Sequence, residues 1–190
     1  MRTYTPDEFE GVAFDATTIA QRVQQLGAQI KADYLSLCGP EVESVLAVGL
    51  MRGALTFLAD LGRAVDLVMA YDLLWLSSYG DSDRPGEIEL LLDLKTPLAG
   101  RHVLLVEDIV DTGHTLEYAH ALFKKRHPAS IRTCCLLDKR PRREVEVPVE
   151  YVGFVMEQDR FVVGYGLDYA DRYRNLPYIA VLHPRVYAGS

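Results

Sequence analysis

Four apolar residues, Val103 to Val106, run directly into two carboxylates, Glu107 and Asp108, and then into the turn Asp111-Thr112-Gly113-His114-Thr115. A short segment that is apolar on both faces fits a strand covered on both sides, the situation of parallel sheets rather than of antiparallel sheets with one wet face. The covering helix follows at once, because Leu116, Ala119 and Phe123 share one face between about Thr115 and Arg126. Ligands of such sheets lie in the crevice at the carboxyl ends of the strands. Here that crevice would hold the two acids and the turn.

The rest of the chain repeats the pattern. Ile19, Val23, Leu26, Ile30, Tyr34 and Leu37 recur at steps of three and four, so the spacing predicts an amphipathic helix over 18–37, opened by a Thr18…Gln21 capping box. Val45–Leu50 reads as a strand, with a tight loop at Gly53 and a helix over 54–63 after it. Val65–Leu76, Ile131–Leu137 and Tyr151–Val155 supply further strands, and the remainder to Ser190 reads as short strands and turns. Ser77–Glu87, SSYGDSDRPGE, is polar and rich in glycine and proline, which predicts a mobile loop. The expected class is α/β: one domain of 190 residues around a central, mostly parallel sheet flanked by helices.

Charge and cysteines narrow the partners. A net charge of −7 and a pI near 5.2 disfavour broad contact with nucleic acid, which draws its affinity from clustered positive charge. A small anion is still compatible, since a few backbone amides and cations can hold one. The chain shows no apolar run long enough to span a membrane and no basic-then-apolar signal layout at its start, so a cytoplasmic location without membrane contact is expected. Cys38, Cys134 and Cys135 are expected to be buried thiols.

Carboxylates are costly beside an apolar core, so Glu107 and Asp108 point to work on a polar or cationic ligand. The turn after them offers free amides, the hydroxyls of Thr112 and Thr115 and the positive end of a helix dipole, which together suit a phosphate. It is not the Walker cradle, because no G-x-x-x-x-G-K-[ST] occurs in the chain. Asp-Thr-Gly also marks aspartic proteases, but those need a second copy on a β-rich scaffold. The bland alternative is Asp111 as an ordinary helix cap.

The segment Glu107-Asp108-x-x-Asp111-Thr112-Gly113 resembles the phosphoribosyl-pyrophosphate motif of type I phosphoribosyltransferases, in its hypoxanthine-guanine form. Four further stretches match in order, and the likeness runs from about Val45 to Leu182. The resemblance implies a core over about 40–140 and a small hood from 1–15 and 150–190. It makes Met51-Arg52-Gly53 a pyrophosphate loop whose first peptide bond can be cis, with Arg174 a second pyrophosphate contact. Ser78 and Tyr79 would belong to a lid, although Asp81, Asp83, Arg84 and Pro85 replace the serine- and threonine-rich lid of relatives.

The same resemblance places Glu107, Asp108, Asp111, Thr112, Gly113, His114 and Thr115 around the ribose and its 5′-phosphate; His114 occupies a variable position and its side chain is given no role. Lys139 would donate to the exocyclic oxygen of the base, Phe161 would stack on the ring, Val162 would supply backbone hydrogen bonds, and Asp168 would lie near a metal. Arg140, Arg142 and Arg143 are expected to form a solvated basic loop. An ammonium can only donate, which suits a 6-oxopurine over adenine.

The implied reaction transfers the phosphoribosyl group from phosphoribosyl pyrophosphate to hypoxanthine or guanine, with Mg²⁺ held by Glu107, Asp108 and Asp168 and with Asp111 as general base. A homodimer or homotetramer is the implied assembly. Rival readings are a phosphoribosyltransferase for xanthine or another base, and an RNA-binding regulator of the same fold.

Overall fold

The computed structural model describes residues 4–38, 44–78 and 88–188. Its main sheet has six strands: β2 (Val45–Met51), β3 (Met69–Ser78), β4 (Ile88–Leu92), β5 (His102–Val110), β6 (Ser130–Lys139) and β7 (Tyr151–Met156). Their order is β4-β3-β2-β5-β6-β7, parallel throughout except for the edge strand β4. β2 and β5 are adjacent and central, and both are buried along nearly their whole length, as their apolar runs require.

Helices cover both faces. On one, α1 (Ala16–Cys38) and α2 (Leu55–Val65) pack over Ala47, Leu104, Val106 and Leu136; on the other, α3 (His114–Lys124) buries Leu116, Ala119 and Phe123 against Leu46, Val48, Val103 and Leu105. A second, three-stranded sheet joins β1 (Phe9–Phe14), β9 (Ile179–Leu182) and β8 (Val162–Val163) in the order β1-β9-β8. The chain then ends in a short turn of helix, α4 (Pro184–Tyr187).

Several boundaries differ from the sequence reading for local reasons. Asp15, not Thr18, caps α1: its carboxylate accepts from the Thr18 amide at 2.7 Å. Val65 closes α2 rather than opening a strand, because Asp66 adopts φ 52° and turns the chain before β3 begins at Met69. β5 continues through the acids to Val110, so Glu107 and Asp108 are strand residues with the turn beyond them. The loop expected over 77–87 is described only at its start, where Ser77 and Ser78 end β3; Tyr79 and the rest lie outside the described residues.

Candidate active site

β5 carries the acid pair into the crevice. Glu107 and Asp108 are both buried, and the Asp108 amide donates to Glu107 Oε1 at 3.2 Å. Burial, and then the charge of Asp108, push the Glu107 carboxyl well above its usual range; burial raises Asp108 as well. The opposing influences on Asp108 include the positive charge of Arg174. Burial thus disfavours two full negative charges at this point of the crevice.

Next to it, β2 ends in the loop expected to meet pyrophosphate. The Met51-Arg52 peptide bond is cis, as the resemblance implied. Gly53 touches the acid pair: a Cβ there would lie 1.8 Å from Asp108 Oδ2. Gly166, at φ 104°, closes on the same loop, since its Cβ would come within 2.2 Å of the Gly53 carbonyl oxygen. A larger residue would have to displace the Asp108 side chain at Gly53 and the backbone of the loop at Gly166.

The surrounding charges form one network. Arg52 lies over the Trp75 ring at 5.3 Å and pairs with Asp171 at 3.1 Å. Arg174 donates to the Gly166 carbonyl at 2.8 Å and meets Asp168 Oδ1 at 2.7 Å. Asp168 Oδ2 accepts from the Asp171 amide at 2.8 Å. The structure thus brings Arg52, Arg174 and Asp168 to the acid pair's side of the crevice, with Asp171 as a partner that sequence reasoning did not single out.

The turn is built from the other direction. Gly113 adopts φ 99°, and a Cβ on it would stand 2.4 Å from the Val145 carbonyl oxygen, so both conformation and space call for glycine. The Thr112 carbonyl accepts from the amides of Glu144 and Val145 at 2.9 and 3.0 Å, which braces the turn against 140–145. α3 starts at His114 with Gly113 as its N-cap and no side-chain cap, so Asp111 is not the helix cap that the bland reading required. The first-turn amides of α3, His114 and Thr115 among them, have no partner within the helix and face its amino end. His114 Nε2 lies 2.9 Å from Glu144 Oε2.

Asp111 is held on one side only. Its Oδ2 is 3.4 Å from Arg142, while Oδ1 is buried without a hydrogen-bond partner among the described residues. A buried acceptor without a donor is costly.

The basic run after β6 divides in two. Arg140 and Arg142 are exposed, as expected, but Arg143 is not solvated: it pairs with the Asp138 carboxylate and donates to the carbonyls of Asp111 at 3.1 Å and Val110 at 3.2 Å. A buried aspartate at 138 needed a cation, and a planar fork five residues on can satisfy it while holding the turn's backbone. That buried acid was the signal available in the sequence.

At the other end of the crevice Lys139 closes β6, nearly buried, with Nζ 2.6 Å from Asp159 Oδ1. Phe161 is half-exposed; Tyr187 of α4 stacks on it at 5.0 Å and 26°, and Tyr169 meets it edge-on at 5.6 Å. Val162 is buried in β8 opposite Val181. Asp159 and Tyr187 are further residues to which the sequence reading gave no role.

Residues 15–170 match the phosphoribosyl transferase domain family. The hypoxanthine-guanine phosphoribosyltransferase of Bacillus subtilis is 43% identical over 181 residues, covering 95% of this chain and 97% of its own. A hypoxanthine phosphoribosyltransferase crystal structure from Staphylococcus aureus superposes with a TM-score of 0.88 at 36% identity, covering 98% of both chains. The Trypanosoma cruzi hypoxanthine phosphoribosyltransferase in complex with its product IMP gives 0.87 at 38% identity over 98% of this chain and 100% of that one.

Proposed function

The chain belongs to the phosphoribosyltransferase family, in its hypoxanthine-guanine branch, and from that premise we propose that it transfers the 5-phosphoribosyl group of phosphoribosyl pyrophosphate to hypoxanthine and guanine, releasing pyrophosphate. The observation that carries this reading is the contact of Gly53 with Asp108, which joins the 51–53 loop to the acid pair on the strand that feeds the 111–115 turn.

Each element has work to do in such a reaction. The sugar's 5′-phosphate is assigned to the turn, where the amides of Thr112 to Thr115 and the end of the α3 dipole favour an anion. Arg52 and Arg174, with the amides of the 51–53 loop, offset the negative charge that develops on pyrophosphate as the bond breaks. Glu107 and Asp108 face the ribose hydroxyls and fix the sugar for attack along one line. Asp111, on the turn that follows the acid pair, takes the ring proton that the purine loses. At the far end Lys139 donates to the 6-oxygen, Phe161 covers the ring, and the backbone at Val162 reads its edge.

The buried acids with raised proton affinity suit a divalent cation. Mg²⁺ characteristically takes one or two carboxylates together with substrate phosphates, and among the described residues no three His, Cys, Asp or Glu gather to cage a metal by themselves. We assign Glu107, Asp108 and Asp168 to hold it; bound with pyrophosphate, it would supply positive charge to the departing oxygens.

Among the described residues no helix is long and apolar enough to cross a membrane, and we place the activity in the cytoplasm, in a homodimer or homotetramer. The test is a panel of free bases incubated with phosphoribosyl pyrophosphate and Mg²⁺. Hypoxanthine or guanine should be consumed with release of pyrophosphate. A chain that consumes only xanthine, a pyrimidine or no base at all would overturn the assignment.

A further inference from the structure

A buried ammonium without a counter-ion tends to lose its proton, so the partner of Lys139 matters. The adjacent carboxylate cannot serve, because Asp138 is taken by Arg143 on one oxygen and by Arg140 at 3.2 Å on the other. Lys139 Nζ instead meets Asp159 Oδ1 at 2.6 Å, with 7% of the lysine side chain exposed and 58% of the aspartate. The hydrogen bond from Lys139 holds the Asp159 carboxyl below its usual range, with a smaller contribution from the charge of Arg142.

Position adds to the argument. Asp159 lies on the segment between β7 and β8, two residues before Phe161, so the group that aims the ammonium and the ring assigned to the base share one short stretch of backbone. That stretch is tied to the second sheet, since Arg160 pairs with Glu10 of β1 and the Phe161 carbonyl accepts from the Leu182 amide at 2.8 Å. A shift of the segment would move both base contacts together.

We propose that Asp159 is a positioning residue: it holds the Lys139 side chain as a pure hydrogen-bond donor facing the exocyclic oxygen, and so sets the preference for 6-oxo over 6-amino purines. This rests on the base assignment of Lys139 made above. An ammonium has no lone pair and cannot accept from an amino group, so once held against the 6-position it favours an oxygen there. A site built on such a polar contact discriminates far more strongly than one that measures size.

The experiment compares the wild type, Asp159→Asn and Asp159→Glu, with kcat/KM measured for hypoxanthine and for adenine and with phosphoribosyl-pyrophosphate binding followed by calorimetry. In Asp159→Asn the hypoxanthine-to-adenine ratio should fall about tenfold or more, with phosphoribosyl-pyrophosphate affinity unchanged, and Asp159→Glu should restore most of the ratio. A merely structural role would depress both bases in proportion. That outcome, or a ratio equal to the wild type's, overturns the proposal while leaving the function intact. No turnover of any 6-oxopurine by the wild type would instead remove the function, and this role with it.

Discussion

Gly53, in the loop after β2, is in contact with Asp108 on the neighbouring strand β5, and the space between them is too small for a methyl group, which would stand 1.8 Å from Asp108 Oδ2. The pyrophosphate loop and the acid pair thus set each other's position. Gly53→Ala must push one of them away, an overpacking cost of about 1–3 kcal/mol. A displacement of this kind lowers kcat/KM for phosphoribosyl pyrophosphate by about 100-fold, read from initial rates, while urea denaturation shows only the modest loss of stability.

Glu107→Gln should separate stability from function. The folded-state carboxyl is raised above its unfolded value by burial, so the native wild type holds its proton more tightly than the unfolded chain does. Wild-type stability is therefore lost as pH rises from about 4 upward through the raised value, and the neutral glutamine escapes that loss. The variant should match the wild type near pH 4 and melt several degrees higher at pH 7, in thermal scans at both pH values. Its turnover should fall, because the ribose and the cation lose a charged partner.

Arg143 ties Asp138 to the carbonyls of Val110 and Asp111. Arg143→Ala leaves one oxygen of a nearly buried carboxylate without its donor, with only the exposed Arg140 on the other, at a cost of about 1–3 kcal/mol. Arg143→Lys keeps the charge but cannot make the forked contacts, and should recover only part of the loss. Guanidinium denaturation of the three proteins checks the order wild type, lysine, alanine; an alanine variant as stable as the wild type would refute the strut.

Asp111→Asn keeps the shape of the turn and removes the proton acceptor. Turnover should drop by about 10²–10⁴-fold, while phosphoribosyl-pyrophosphate affinity from calorimetry stays within a few-fold of the wild type. Equal losses in both would make Asp111 a binding residue rather than a base.

What the sequence revealed follows from where the chemistry was local. Val103–Val106, the acids and Gly113 lie within one short stretch, so the strand, the turn and the start of α3 could be read from the order of residue types. The cis bond at Met51-Arg52 and the places of Lys139 and Phe161 came from the resemblance, not from propensity. Contacts between distant segments were not legible. The approach of Gly166 to Gly53, the capture of Lys139 by Asp159 and the stacking of Tyr187 on Phe161 arise only when β8, β9 and α4 fold back onto the main sheet. Arg143 departs from the expected solvated run because the nearly buried Asp138 draws it inward, while Arg140 meets the same carboxylate from the exposed side.

The most direct test is a crystal structure of the protein with inosine monophosphate. The account predicts the 5′-phosphate on the amides of Thr112 to Thr115, the ribose hydroxyls against Glu107 and Asp108, and the purine between Lys139 and Phe161. A phosphate bound elsewhere, with the 111–115 turn empty, would contradict it.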